Sequence, residues 1–122
     1  MLFMNKVELR SILEEYRKWL GIEDKIKLEL KPLKTKAASI SLRKGVIRLN
    51  RNLIPLLSDE SIKYLILHEL VHYKIGSVYH TKKFYEKVLK QFSIDSVREF
   101  EEEILKALGK LNGFQYKRYG LD

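Results

Sequence analysis

Three histidines and a glutamate are the residues of this chain whose types and spacing could do chemistry. The motif HELVH at residues 68–72 is followed by His80, and together they contain all three histidines of the sequence. Two histidines four positions apart lie one helical turn apart, about 6 Å along the axis and on nearly the same face. Because both imidazoles can reach one ion, the pattern predicts a catalytic zinc site with His68 and His72 as ligands.

Glu69 lies beside that face, about 100° around the helix from His68. It is too far round to replace a histidine as ligand, but it is close enough to take a proton from a water molecule that the metal activates. We therefore expect peptide-bond hydrolysis with Glu69 as the general base. An oxyanion donor is also expected, and the spacing leaves five tyrosines open: Tyr73, Tyr79, Tyr85, Tyr116 and Tyr119.

The third ligand is a choice between a histidine and a carboxylate, because a zinc peptidase site needs three protein ligands and one open position. His80 is the economical candidate, since residues 76–77 permit a turn that brings the next helix back across the first. Glu86 and Glu99 are the carboxylate alternatives, whereas most glutamates at 101–103 are expected to be solvated. The sequence favours His80.

The competing interpretation of the motif is a purely structural histidine cluster. Burying two histidines and a glutamate on an apolar helix would cost substantial free energy unless they are paired or metal-bound, and this favours the metal. The chain has no cysteine, so any metal must be held by histidine and carboxylate. Zn²⁺ is the predicted ion, and cobalt, manganese or nickel could use the same ligands.

Length and composition predict one soluble globular domain spanning residues 1–122. The chain has no signal-peptide pattern and no apolar run of membrane-spanning length, and its lack of cysteine suits a reducing cytosol, so a cytoplasmic location is predicted. The net charge is +8, but the basic residues are scattered among glutamates, which favours a solvated surface over a nucleic-acid partner. Abundant Lys, Glu and Ile indicate a thermophilic source.

Hydrophobic periodicity predicts an α+β domain with four helices and a small three-stranded antiparallel sheet. The predicted elements are a helix over 5–20, strands over 26–30, 38–42 and 46–49, the motif helix over 59–75, a helix after Thr81 and a last helix over 97–111. Ser58 and Gly76 are the expected caps of the motif helix. Gly45 supplies the turn of a hairpin between the second and third strands, and Ser96 with Glu99 predicts a capping box for the last helix.

The run from Ala38 through Leu89 resembles the minigluzincins, a group of very small zinc metallopeptidases. The resemblance rests on a hairpin ending in IRLN at residues 47–50, on the HELVH motif and on the later histidine. It implies a gluzincin-type catalytic fold in which His68, His72 and His80 are zinc ligands and Glu69 is the general base.

The same resemblance implies latency, because clefts in that family are closed by C-terminal segments. In this chain the corresponding latency segment is residues 96–122, the last helix and the tail. Exchange of this helix between two protomers would give a homodimer at low cost. The alternative is that the helix simply completes the core of its own chain.

A second resemblance is to SprT-like proteins, which share the hairpin, the HExxH motif and a later histidine, and include proteases acting on DNA-bound proteins. The Arg-Trp-Gly-Ser-Cys signature of one bacterial branch is absent, since KAASI stands near there at residues 36–40. A different class of hypothesis is a non-catalytic zinc module that binds nucleic acid or protein. Glu69 discriminates the two classes, because a structural zinc site needs no base.

Overall fold

The computed structural model describes residues 4–113. It contains the helices α1 (Lys6–Trp19), α2 (Asp59–Ile75), α3 (Lys82–Val88) and α4 (Ile94–Asn112), the strands β1 (Lys27–Lys31), β2 (Ala38–Ser41) and β3 (Val46–Asn50), and a short 3-10 turn (Ile54–Leu56). The predicted α+β class is confirmed. Within the described range, no helix combines the length and the apolar character needed to cross a membrane.

Helix α2 is the central element of the core and carries the HELVH motif. Its start is capped by Ser58, whose hydroxyl accepts a hydrogen bond of 3.3 Å from the backbone nitrogen of Ser61. It ends at Gly76, which adopts the left-handed conformation with φ of +77° that favours glycine. Helices α1, α3 and α4 and the sheet all pack against α2. As a result, every residue from Tyr64 to His72 is buried.

The sheet is mixed, so the prediction of an antiparallel sheet was wrong. Strand β3 is central: it pairs with β2 in the predicted antiparallel hairpin, but it pairs with β1 in parallel. The connection over residues 32–37 therefore crosses over β3. The distance from β1 to β2 is about two strand spacings, about 10 Å, which a loop of this length covers easily. Alternating apolar residues identify a strand and its buried face, but they do not specify which strand lies beside it.

Asn50, a buried polar residue at the end of β3, holds the connection between β1 and β2. Its side-chain amide donates hydrogen bonds to the carbonyl oxygens of Leu33 at 2.9 Å and Lys36 at 3.0 Å. Its Oδ1 accepts from the backbone nitrogen of Asn52 at 3.1 Å. A buried amide is tolerated when its donors and acceptor are used in this way. These bonds fix the backbone at Lys36 just before β2.

The two terminal helices differ in how well their starts were predicted. Helix α1 has the expected reciprocal capping box between Asn5 and Glu8. Helix α4 starts earlier than expected, because Ser93 is its N-cap and accepts from the backbone nitrogen of Ser96 at 3.1 Å. Ser96 thus lies inside the helix, and the predicted capping box was wrong. The first turn escaped detection because its apolar residue, Ile94, is 53% exposed and faces away from the core.

Candidate metal centre

The ring nitrogens of the three histidines converge between α2 and the start of α3. The Nε2 atom of His68 lies 3.2 Å from Nε2 of His72 and 3.2 Å from Nε2 of His80. One ligand atom from each histidine lies within 4.8 Å of the other two, and no further cluster of this kind occurs in residues 4–113. His68 and His72 are buried, whereas His80 is exposed. The three imidazoles therefore surround a small pocket, called the histidine pocket below, in which their Nε2 atoms could act as metal ligands. The exposed His80 leaves one side of this pocket open.

Hydrogen bonds on the opposite ring nitrogens orient two of these imidazoles. The Nδ1 atom of His72 lies 2.8 Å from the carbonyl oxygen of Ser77. A carbonyl only accepts, so Nδ1 carries the hydrogen and Nε2 presents its lone pair. The Nδ1 atom of His68 lies 3.3 Å from the hydroxyl oxygen of Tyr64, whose own hydrogen is donated to Glu101 Oε2 at 2.7 Å. The hydroxyl oxygen can therefore accept a hydrogen bond from Nδ1 of His68, which leaves the lone pair on Nε2 of His68, as in His72.

This arrangement fits a bound divalent cation. Two neutral imidazoles whose Nε2 lone pairs face each other at 3.2 Å repel unless a positive charge lies between them. In a tetrahedral zinc site with bonds of about 2.0–2.1 Å, neighbouring ligand atoms lie about 3.3–3.4 Å apart, close to the spacing observed. Three histidines leave a fourth position for water or substrate, as in catalytic rather than structural zinc sites. The donor set therefore suits a catalytic zinc ion.

Phe84 forms one wall of the histidine pocket. Its ring centroid lies 4.9 Å from that of His68, 4.6 Å from His72 and 4.9 Å from His80, and its side chain is fully buried. It sits in the first turn of α3, which Thr81 caps by accepting from the Phe84 backbone nitrogen at 3.3 Å. The sequence indicated only a helical core residue here. The sequence feature that could have placed Phe84 beside the histidines is its spacing of four residues from His80.

Glu69 lies beside the histidines and lines a cleft. Its Oε2 atom is 3.9 Å from Nε2 of His68, and the residue is 3% exposed. The cleft has a volume of about 310 Å³ and lies between β2 and the motif helix. Its lining consists of Lys36, Ser39, Ile40, Glu69, His72 and Val78. A carboxylate in this position can reach a water molecule held between the histidines and the cleft.

The carboxylate alternatives for the third ligand lie outside the histidine pocket. Glu86 is exposed on α3 and lines a different groove, and Glu99 is exposed on α4. Of the glutamates expected to be solvated, two instead make contacts with α2. Glu101 accepts from Tyr64, and Glu103 accepts from the Ser58 hydroxyl at 2.8 Å. Sequence reasoning missed both contacts, because nothing local shows that α4 crosses α2 at these points.

The tyrosines considered as oxyanion donors are in different environments. The hydroxyl of Tyr73 donates to Asp24 Oδ2 at 2.9 Å, and this hydrogen bond raises the pKa of Tyr73. Tyr79 is 73% exposed in the loop before His80. The ring of Tyr85 lies 6.2 Å from that of His80, and burial raises its pKa. Two further candidates, Tyr116 and Tyr119, lie outside the described residues.

Comparison with known families agrees with this geometry. A model of the YgjP-like metallopeptidase domain matches residues 4–107, which include the whole of the histidine pocket. The chain belongs to the YgjP-like metallopeptidase family. The match extends from the start of α1 into the last turns of α4, so it includes both Tyr64 and Glu101.

Relatives of this YgjP-like domain were found both by sequence and by structure. Over 105 residues the chain is 48% identical to the uncharacterized protein aq_aa15 of Aquifex aeolicus, covering 86% of this chain and 80% of that protein. It is also similar to the crystal structure of the metallopeptidase zymogen jannalysin of Methanocaldococcus jannaschii, with a TM-score of 0.75, 36% identity and coverage of 82% of this chain and 96% of the other. For the metallopeptidase zymogen abylysin of Pyrococcus abyssi the corresponding values are 0.74, 31%, 80% and 92%.

These neighbours confirm the predicted resemblance to the minigluzincins. Relatives from thermophiles also agree with the composition, which is rich in lysine and glutamate. Membership of a metallopeptidase family supports a peptidase activity for this chain.

A second groove of this YgjP-like domain is basic and lies between the end of α2 and α3. It has a volume of about 680 Å³ and is lined by Lys74, Ile75, Lys83, Glu86, Lys87 and Lys90. The sequence indicated scattered lysines, and folding brings four of them to one groove. None of the lining residues belongs to the histidine pocket or to the cleft beside Glu69.

Proposed function

We propose that the protein is a zinc-dependent endopeptidase in which His68, His72 and His80 hold the ion and Glu69 is the general base. The observation that carries the proposal is the convergence of three Nε2 atoms beside a buried carboxylate that lines a cleft. A structural zinc site would have no need for a glutamate at this point or for an open fourth position.

When bound, zinc would lower the pKa of a water molecule towards neutrality and polarise the carbonyl of the scissile peptide bond. Glu69 would accept the proton of the attacking water on its carboxylate and would then deliver it to the leaving amine as the peptide C–N bond breaks. The Ser77 carbonyl holds His72 in the tautomer that leaves Nε2 free of hydrogen. Burial keeps the Glu69 carboxylate in place between its neighbours, which limits the motion needed for both proton transfers.

We infer that the substrate is an extended peptide that binds along the edge of β2. Within residues 4–113, β2 pairs with β3 on one side and with no strand on the other. Ser39 and Ile40 of this strand line the cleft opposite Glu69 and His72. An extended peptide can add to such an edge through backbone hydrogen bonds, which would place its carbonyl groups next to the histidines.

The first test compares metal content and cleavage in matched variants. Glu69→Gln should keep about one zinc per chain, and in the chain shortened by residues 114–122 it should lower cleavage of an unstructured protein substrate at least about 100-fold relative to the same shortened chain with Glu69. His80→Ala should lose most of the zinc. Glu99→Gln, an exposed change of the same type, is the control and should keep both properties. Cleavage that persists in Glu69→Gln would refute the assigned base, and a wild-type chain that takes up no metal would refute the enzyme.

We propose further that the C-terminal segment, residues 96–122, keeps this peptidase latent. The support is that two similar structures are described as zymogens, and that α4 lies against the motif helix. Val97, Ile104 and Leu108 of α4 are buried, so the helix is needed for the core, whether its own chain or a partner provides it. Exchange of α4 between two protomers would keep these contacts and produce the homodimer.

Removal of residues 114–122 separates latency from folding, because it leaves α4 intact. We expect the shortened chain to cleave its substrate faster than the full chain. In light-scattering measurements we expect the full chain to be a dimer that dissociates on dilution. A monomer at every concentration would argue against helix exchange. A monomer whose cleavage rate is the same with and without the tail would refute the latency proposal as well.

The second candidate function is nucleic-acid binding, and the basic groove is the observation that favours it. Four lysines around one groove can contact successive phosphates, and such binding weakens steeply as salt increases. The double variant Lys83→Glu/Lys87→Glu should abolish DNA binding at low salt. The variant Lys18→Glu/Lys106→Glu, with the same net charge but changes elsewhere, should bind normally. Equal binding by the two variants, or none by the wild type, would exclude the groove as a nucleic-acid site.

A further inference from the structure

A chain of side chains connects α4 to the first histidine of the motif. Glu101 Oε2 accepts a hydrogen bond of 2.7 Å from the hydroxyl of Tyr64, and the oxygen of that hydroxyl lies 3.3 Å from Nδ1 of His68. Tyr64 is fully buried, and its ring packs against Phe92 and Phe100 at centroid distances of 6.2 and 5.6 Å. The position of the hydroxyl is therefore fixed by packing, while the direction of its hydrogen is set by Glu101.

We propose that Glu101 and Tyr64 are positioning residues that hold His68 in the tautomer able to bind the metal. This inference rests on the proposed zinc site and adds two residues to it, one of them from α4. The motif helix alone would then be insufficient for a complete metal centre, because the hydrogen-bond network that orients its first histidine ends on another helix.

The direction of the Tyr64 hydrogen decides what His68 can do. With Glu101 accepting this hydrogen, the hydroxyl oxygen accepts a hydrogen from Nδ1 of His68, and Nε2 keeps its lone pair for the metal. If the carboxylate is removed, the hydroxyl can turn its hydrogen towards Nδ1. The imidazole then carries its own hydrogen on Nε2, and that form is not a ligand. A carboxylate at the end of such a network also makes the ligand nitrogen a stronger donor.

His72 provides an internal comparison, because its Nδ1 is oriented by a backbone carbonyl, that of Ser77, at 2.8 Å. That interaction does not depend on any side chain of another helix. His68 is thus the ligand whose orientation can be changed by substitutions remote from the metal. Glu101 is only partly buried, so its substitution should leave the core intact.

The test measures zinc affinity by competition with a chromophoric chelator, using the full chain. We expect Glu101→Leu, which removes both acceptor oxygens, and Tyr64→Phe each to weaken zinc binding about 10–100-fold. Glu99→Leu on α4 and Tyr16→Phe on α1 are matched controls that should stay within about twofold of the wild type. The double variant Glu101→Leu/Tyr64→Phe should bind no more weakly than the weaker-binding of the two single variants, since both changes interrupt one network.

Two further readouts separate positioning from a general loss of structure. The metal-free variants should keep the circular dichroism of the wild type, and the visible spectrum of the cobalt-substituted protein should change in both single variants but in neither control. Glu101→Leu places a side chain of similar length at a partly buried position, and it decides the question by itself if Tyr64→Phe fails to fold.

Zinc affinity within twofold of the wild type in Glu101→Leu, or fully additive losses in the double variant, would overturn the inference while leaving the peptidase proposal in place. A wild-type chain that binds no zinc would overturn both.

Discussion

Glu103 of α4 accepts hydrogen bonds from both the backbone nitrogen and the hydroxyl of Ser58, the residue that caps the motif helix. The distances from Ser58 N to the two carboxylate oxygens are 3.2 and 3.3 Å, and the hydroxyl lies 2.8 Å from Oε1. A carboxylate at a helix N-terminus also interacts favourably with the helix dipole. Together with the contact between Glu101 and Tyr64, this fixes α2 to α4 at two points.

Substitution of Glu103 tests this attachment. Glu103→Gln should lower the free energy of unfolding by about 0.5–2 kcal/mol, because it removes the negative charge from the start of α2 and weakens a charge-assisted hydrogen bond. Chemical denaturation with urea measures the change. Glu99→Gln on the exposed side of the same helix should stay within about 0.5 kcal/mol of the wild type. An equal effect of the two substitutions would mean that the Ser58 contact contributes nothing specific.

Substitution of Phe84 tests the wall of the histidine pocket. Phe84→Ala should destabilise the metal-free protein by about 3–5 kcal/mol, because it leaves a cavity next to three imidazoles. Phe84→Leu fills more of that space and should cost less. Urea denaturation of both variants, carried out in the presence of a chelator, measures the difference. Similar stabilities for Phe84→Ala and the wild type would show that the ring is not a packed part of this site.

Zinc-dependent stabilisation isolates the role of His80. Because His80 is exposed, His80→Ala should leave the stability of the metal-free protein within about 0.5 kcal/mol of the wild type. With free zinc at about 100 times its dissociation constant, the wild type should gain about 2.7 kcal/mol, and the variant should gain far less at the same concentration. Thermal unfolding with and without zinc gives both quantities. Equal gains would exclude His80 as a ligand.

The buried tyrosine of the motif helix predicts sensitivity to alkaline pH. Burial and then the charge of Glu101 raise the pKa of Tyr64 well above its usual value of about 10. The unfolded chain therefore loses this proton first, so the contribution of Tyr64 to stability is complete below about pH 10 and declines as the pH rises above it.

The corresponding measurement is the dependence of unfolding free energy on pH in metal-free protein. Above about pH 10 the wild type should lose about 1.4 kcal/mol per pH unit more than Tyr64→Phe, which has no hydroxyl to titrate. Titration of the lysines is common to both proteins and cancels in the comparison. Parallel curves between pH 10 and 11 would show that Tyr64 ionises normally in the folded state.

The features that the sequence by itself determined are local ones. Ser58 and Gly76 predicted the ends of the motif helix, because capping depends on a few adjacent residues. The spacing of His68 and His72 placed both on one face, since helical geometry fixes that relationship. Gly45 likewise marked the turn between β2 and β3, where its φ of +65° favours glycine.

The tertiary structure decided what depends on contacts between distant segments. It set β3 between β1 and β2 because strand alternation carries no information about neighbours. It brought His80 and Phe84 onto the motif helix, a result that the sequence permitted without requiring it. It also connected Tyr64 to Glu101 across 37 positions. Such pairs form only when two helices pack at a particular angle, and that angle depends on the whole core rather than on any local pattern.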